Sequence, residues 1–112
     1  MPKPPNEFLN PDGLSPPGPA GYSHVAKVNR GTIVYLSGQV PIDAAGGVMA
    51  DIVKLNYYVA AELDPANVPK LRPIRDRYLN MDSPPASTFL VVARLMRPGW
   101  LIEIEAVAAI GD

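Results

Sequence analysis

The sequence predicts a single α+β domain built on a mixed or antiparallel sheet. Three observations carry that prediction. Residues 51–60 (DIVKLNYYVA) and 101–110 (LIEIEAVAAI) alternate with a period of two, the mark of strands with one strongly apolar face. Between them, Leu71, Ile74 and Tyr78 recur at helical spacing. The order of elements is strand, strand, strand, helix, strand, strand, with no internal repeat. At 112 residues the chain, read as one domain over 1–112, has length for one hydrophobic core and not two.

Each element has its own signal. Residues 1–20 are rich in proline, which fixes φ and removes backbone donors, so they read as an extended arm leading to a turn near Gly18–Gly21. The arm lacks the apolar centre of a secretory peptide. YSHVAKVN (22–29) and TIVYLSGQVPI (32–42) are rich in branched and aromatic residues and flank Arg30–Gly31, which predicts a β-hairpin. Gly38 and Pro41 punctuate its far end. In 51–60, Ile52, Lys54, Asn56 and Tyr58 fall on one face, and Val53, Leu55, Tyr57 and Val59 on the other. In DPANVPKLRPIRDRYLN (64–80), Asn67 is the expected N-cap, and Pro73 requires the helix either to start late or to kink. Pro84–Pro85 then form a rigid turn, from which Ser87 and Thr88 enter a strand over about 86–95. The turn RPGW leads to the last strand, where Ile102, Ile104 and Ala106 face opposite to Glu103, Glu105 and Val107. One helix covers only part of one sheet face, so the remaining apolar surface calls for a partner subunit.

Composition excludes several functions. Ten Lys and Arg against eleven Asp and Glu give a formal charge of -1, without the clustered positive charge that nucleic-acid or membrane surfaces require. Cysteine is absent and His24 is the only histidine, so there is no thiolate nucleophile and no metal-ligand set of recognisable spacing. There is no glycine-rich phosphate loop, no nucleophile elbow and no apolar run of bilayer length. The expectation is a cytoplasmic protein without metal or cofactor.

Four stretches, YSHVAKVNRGTIVYLSGQVPID, DIVKLNYYVA, PPASTFLVVARL and LIEIEAVA, resemble the RidA/YjgF/YER057c/UK114 family, also described as endoribonuclease L-PSP. The likeness covers nearly everything after residue 20. It implies a chorismate-mutase-like fold: a mixed, mostly antiparallel six-stranded sheet with helices on one face, assembled as a trimeric barrel with ligand clefts between subunits. It also implies hydrolysis of imines and enamines to carbonyl compounds and ammonia. The sequence departs from the family pattern twice. Family members carry a crossover helix between the strands at SGQVPID and DIVKL, where this chain has only AAGGVMA. Seven residues are too few for a crossover, so one family helix is absent near Gly47–Met49. Deaminating members also have an arginine where this chain has Ser87, and a guanidinium pairs with a substrate carboxylate as a neutral hydroxyl cannot.

The candidate site follows from residues and resemblance together. Glu103 and Glu105 lie two apart on one strand face, about 7 Å from each other. Such a pair suits proton handling if one carboxyl is raised, and otherwise reads as a solvated pair on a strand face. The resemblance implies that Glu103 orients water or moves a proton, leaving Glu105 a structural or interfacial role. It also places Tyr22, Ser37, Gly38, Gln39, Ser87 and Thr88 at the cleft, with Arg72 as a cation arriving from a different direction. The bland alternatives are a strand-end turn at Ser37–Gln39, a packed tyrosine at the end of a hairpin, and an exposed helical arginine at position 72. The resulting expectation is a homotrimer that binds a small metabolite between subunits and hydrolyses a C=N bond. Against it stand a ligand-binding or protein-interaction trimer without chemistry and, third, an RNA-cleaving enzyme.

Overall fold

The computed structural model describes residues 3–18, 21–36 and 47–111. The two alternating segments form the centre of the sheet: β4 (Ile52–Ala60) and β6 (Ile102–Ile110), each nine residues long. On their outer sides lie β3 (Thr32–Leu36) and β5 (Ala86–Val92), giving the order β3–β6–β4–β5. β6 is antiparallel to both neighbours and β4 is parallel to β5, so the sheet is mixed.

The expectation of six strands in one sheet is corrected. Among the described residues four strands share the main sheet, while β1 (Asn6–Leu9) and β2 (Val25–Val28) form a separate antiparallel pair. The predicted hairpin between residues 22–29 and 32–42 therefore does not form, because β2 pairs with the proline-rich arm instead. Two local features enforce this. Prolines that cannot donate still accept: the Asn29 side-chain amide donates to the Pro4 carbonyl at 2.9 Å and to Glu7 Oε2 at 2.7 Å. At Gly31, φ is +109°, and a Cβ there would lie 2.8 Å from the Ile110 carbonyl oxygen. The turn thus delivers β3 onto β6 rather than back along β2.

The β4–β5 connection begins with a 3-10 helix, Pro65–Lys70, capped by Asp64, whose carboxylate accepts from the Ala66 N–H at 3.0 Å. Asn67, the expected cap, instead accepts from Lys70 Nζ at 3.0 Å. The helix α1 (Leu71–Asp76) starts late, which leaves Pro73 in its first turn, where a missing N–H breaks no helical bond. The segment after α1 seats Leu79 in a core with Ile52, Leu55, Tyr57 and Ala108. Burying a side chain such as Leu55 contributes about 1.5–3 kcal/mol. Ile52 joins this face, against the expected alternation, because a bulge between Ile52 and Lys54 shifts the register by one residue.

β3 and β4 flank β6 and run parallel, so their link crosses over one strand. The short connection read from the sequence, AAGGVMA at 44–50, begins outside the described residues. The described part of β3 ends opposite Ala106 and β4 begins opposite Ala108. Among the described residues, α1 is the one α-helix, and the sheet face it packs on is only half covered. Phe89 and Ile104 are consequently exposed, and Val91 retains 67% of its surface.

Candidate functional site

The half-covered face carries an open cleft of about 720 Å³. Its floor is the sheet, with Leu55 and Tyr57 from β4, Phe89 from β5, and Ile102 and Ile104 from β6. The register explains the convergence, since Ile104, Tyr57 and Phe89 are consecutive partners across three strands. The Tyr57 and Phe89 rings lie 5.8 Å apart, tilted by 30°. The opposite wall is α1 and its flanks, where Leu71, Ile74 and Tyr78, the helical stripe of the sequence, line the cleft with Ile74 and Tyr78 largely exposed. Arg72, Arg75 and Ser87 supply polar groups, and among the described residues no carboxylate lines the cleft. Burial pushes the Tyr57 phenol pKa up, partly offset by the Arg75 cation.

The third wall, Tyr22, arrives through a strap that the sequence pattern did not reveal. Ser23 is buried; its hydroxyl donates to the Pro84 carbonyl at 2.6 Å and its backbone N–H to the Pro85 carbonyl at 2.9 Å. The double proline thus serves as a pair of fixed acceptors that hold the N-terminal turn beside Ser87. Gly21 takes φ +79°, and a Cβ there would collide with the Arg75 guanidinium. Arg75 in turn donates from Nε and Nη2 to Asp76 Oδ1, at 3.1 and 2.9 Å. His24 meets Tyr22 edge-on at 5.4 Å, and its Nε2 must donate to the Ser15 carbonyl, a group that only accepts. It is a brace for the turn.

The other face of the sheet is polar at its centre. Glu105 Oε1 accepts from the Tyr58 hydroxyl at 2.6 Å and from the Asn56 amide at 2.8 Å. These bonds, Tyr58 first, hold the Glu105 carboxyl below the usual range, while Glu105 in turn raises the Tyr58 phenol. Glu105 is therefore a structural hub. Glu103 is paired in register with Tyr58 and lines a shallow depression of about 340 Å³ with Tyr58 and Arg94. Thr88 also lies on this side, accepting from Lys54 Nζ at 2.9 Å.

Of the predicted site residues, Tyr22, Arg72 and Ser87 come together in the helix-side cleft. Thr88 and Glu103 do not join them within one chain, since both stand on the opposite face. Ser37, Gly38 and Gln39 lie outside the described residues. Sequence reasoning missed Arg75, Tyr57 and Phe89. Arg75 follows Arg72 by three on the same helix, and Phe89 follows Ser87 by two on the same strand, so both periods pointed to them.

Residues 42–110 match the family model described as endoribonuclease L-PSP, which is more than half of the 112-residue chain. A Rid-family protein of unknown function from Yersinia pestis is similar with a TM-score of 0.80 and 26% identity, over 95% of this chain and 99% of that one. A YjgF-family protein from Neisseria meningitidis has a TM-score of 0.60 and 22% identity, over 96% of each chain. A YjgF/YER057c/UK114-family protein from Mycobacterium tuberculosis has a TM-score of 0.55 and 20% identity, over 94% of this chain and 99% of that one. No curated protein matches. No helix among the described residues is long and apolar enough to cross a membrane. By its family model and its fold, this chain belongs to the RidA/YjgF/YER057c/UK114 family, the endoribonuclease L-PSP proteins.

Proposed function

We propose that this chain is the subunit of a homotrimer that binds a small metabolite in the cleft bounded by Tyr22, Arg72 and Ser87. One observation carries the reading: three residues from the N-terminal turn, the helix and an edge strand line one concave, largely apolar space. The trimer is supported by apolar surface left uncovered on both edge strands, with Tyr35 80% exposed on β3 and Leu90 47% exposed on β5. Sedimentation equilibrium tests the assembly, and a monomer at micromolar concentration would sink it.

A second reading, hydrolysis of a C=N bond, rests on Glu103. In that chemistry water adds to the imine carbon while a carboxylate takes a proton from it and passes it to the nitrogen; the C–N bond of the amino alcohol then breaks as its hydroxyl proton moves to nitrogen by the same carboxylate, giving the carbonyl and ammonia. Glu103 stands beside Arg94, across the sheet from Ser87, so a cleft using both Ser87 and Glu103 takes the glutamate from a neighbouring subunit. With Ser87 where deaminating relatives carry arginine, we infer that short 2-imino acids are poor substrates. Ammonia release from 2-iminobutyrate should match buffer for the wild-type chain and rise in Ser87→Arg. A wild-type rate that Glu103→Ala abolishes would instead establish the hydrolase.

A further inference from the structure

We propose that the helix-side cleft selects an anion with a bulky, flat apolar body, of the aromatic carboxylate class, and that Arg72 on α1 provides the anion contact. The inference rests on the metabolite-binding reading above and adds the chemical class of the ligand. Three features of the cleft carry it.

The first is the balance of charge. Among the described residues that line the cleft are two guanidiniums, Arg72 and Arg75, and no carboxylate; Asp76 behind them offsets Arg75, so the remaining cation, Arg72, is matched by an anion. Arg75 is engaged with Asp76, whereas Arg72 is exposed and makes no ion pair among the described residues. A guanidinium offers two parallel donors to a carboxylate, the pairing that serine at position 87 cannot make. Arg72 reaches the cleft from the helix wall, opposite Ser87 on the sheet floor, so the anion sits at the helix rim and not over position 87.

The second feature is shape. The floor presents the exposed Phe89 ring, with the buried Tyr57 ring 5.8 Å from it and the exposed Ile104 paired in register with Tyr57. A flat ring laid on that floor gains offset-stacked contact that a short aliphatic acid does not have atoms to make. The third is size. At about 720 Å³ the space lies within the range of pockets that enclose drug-sized ligands and is far larger than a three- or four-carbon acid fills. A small acid would leave Phe89 and Ile104 wet.

Isothermal titration of the full chain with 2-naphthoate, its neutral isostere 2-naphthamide, and 2-oxobutyrate tests the inference. Naphthoate should bind most tightly, with 2-oxobutyrate weaker by about tenfold or more, and naphthamide weaker than naphthoate by about tenfold. Arg72→Gln should erase the preference for naphthoate over naphthamide while leaving naphthamide affinity unchanged, which a folding defect would not do. Phe89→Ala should weaken both aromatic compounds and leave 2-oxobutyrate as it was. Binding of 2-oxobutyrate with no binding of naphthoate would overturn the ligand class and leave the metabolite-binding reading standing. An unchanged naphthoate preference in Arg72→Gln would overturn the anion contact alone. Absence of binding by all three compounds would overturn the inference and the cleft reading together.

Discussion

On β4, Tyr57 and Tyr58 are neighbours in the chain and belong to opposite sides of one sheet. Tyr57 is buried in the core, floors the cleft and stacks near Phe89. Tyr58 is half-exposed and spends its hydroxyl on the Glu105 carboxylate. Both phenols are harder to ionise than a free tyrosine, the first because burial disfavours its anion, the second because a carboxylate is its hydrogen-bond partner. The same residue type thus reports two environments: one side of the sheet is built from apolar area, the other from hydrogen bonds. The apolar side has concavity and two guanidiniums, Arg72 and Arg75, which suits binding. The polar side is largely satisfied within itself, which suits holding two long strands in register.

The largest expected effect breaks the apolar side. Tyr57→Ala removes a ring from the core and leaves a void under the cleft, at a cost of about 3 kcal/mol. Tyr58→Phe removes one hydroxyl and its bond to Glu105 from a solvated face, with no void, and should move the midpoint of urea unfolding clearly less. If the two substitutions moved that midpoint equally, the contrast between the faces would fail. Tyr57→Ala should also abolish cleft binding, whereas Tyr58→Phe should not touch it.

A middle-sized effect concerns the strap that closes the cleft. Gly21→Ala forces a side chain onto φ +79° and into the Arg75 guanidinium, so we expect a loss of more than about 1 kcal/mol. Ser23→Ala deletes the hydroxyl that donates to Pro84 and leaves that carbonyl without its partner, at a cost of about 1 kcal/mol. Both act on Tyr22 and so on the cleft. The amide hydrogen of Ser23, bonded to Pro85, should exchange faster in either variant. Unchanged exchange would mean that the turn is held by something other than these contacts.

Much of the fold was legible because the physics that sets it is local. The alternation of β4 and β6 follows from one strand having one buried side, and the late start of α1 follows from Pro73. The same period of two also puts Ser87 and Thr88 on opposite faces of β5. Adjacent strand residues cannot share a face. What was not legible depends on partners far away in sequence. β2 has the composition of a hairpin arm, yet it pairs with Asn6–Leu9, a segment whose strand character is hidden by the prolines on either side of it. The Ile52 bulge inverts the face of a single residue and has no local signal. Asp64 outcompetes Asn67 as the cap because Pro65 follows it, and proline at the first helical position favours a start there. The separation of Glu103 from Ser87 is a matter of parity across paired strands, which needs the register and not the spacing alone.

The smallest expected effect sharpens the contrast without disturbing the fold. Glu105 has a carboxyl held below its ordinary range, so it contributes stability above the ordinary carboxylate pKa that is lost as pH falls through the lower folded value. Glu105→Gln removes that titration and should flatten the acid limb of the stability profile, leaving Asn56 and Tyr58 with a neutral partner. The same substitution removes the negative charge that opposes Tyr58 ionisation. In an ultraviolet titration of phenolate formation, Tyr58 should then ionise at lower pH, closer to a free tyrosine, while Tyr57 should stay where burial puts it. Should both phenols shift together, the two faces would be coupled through the strand, and the division of labour between them would have to be given up.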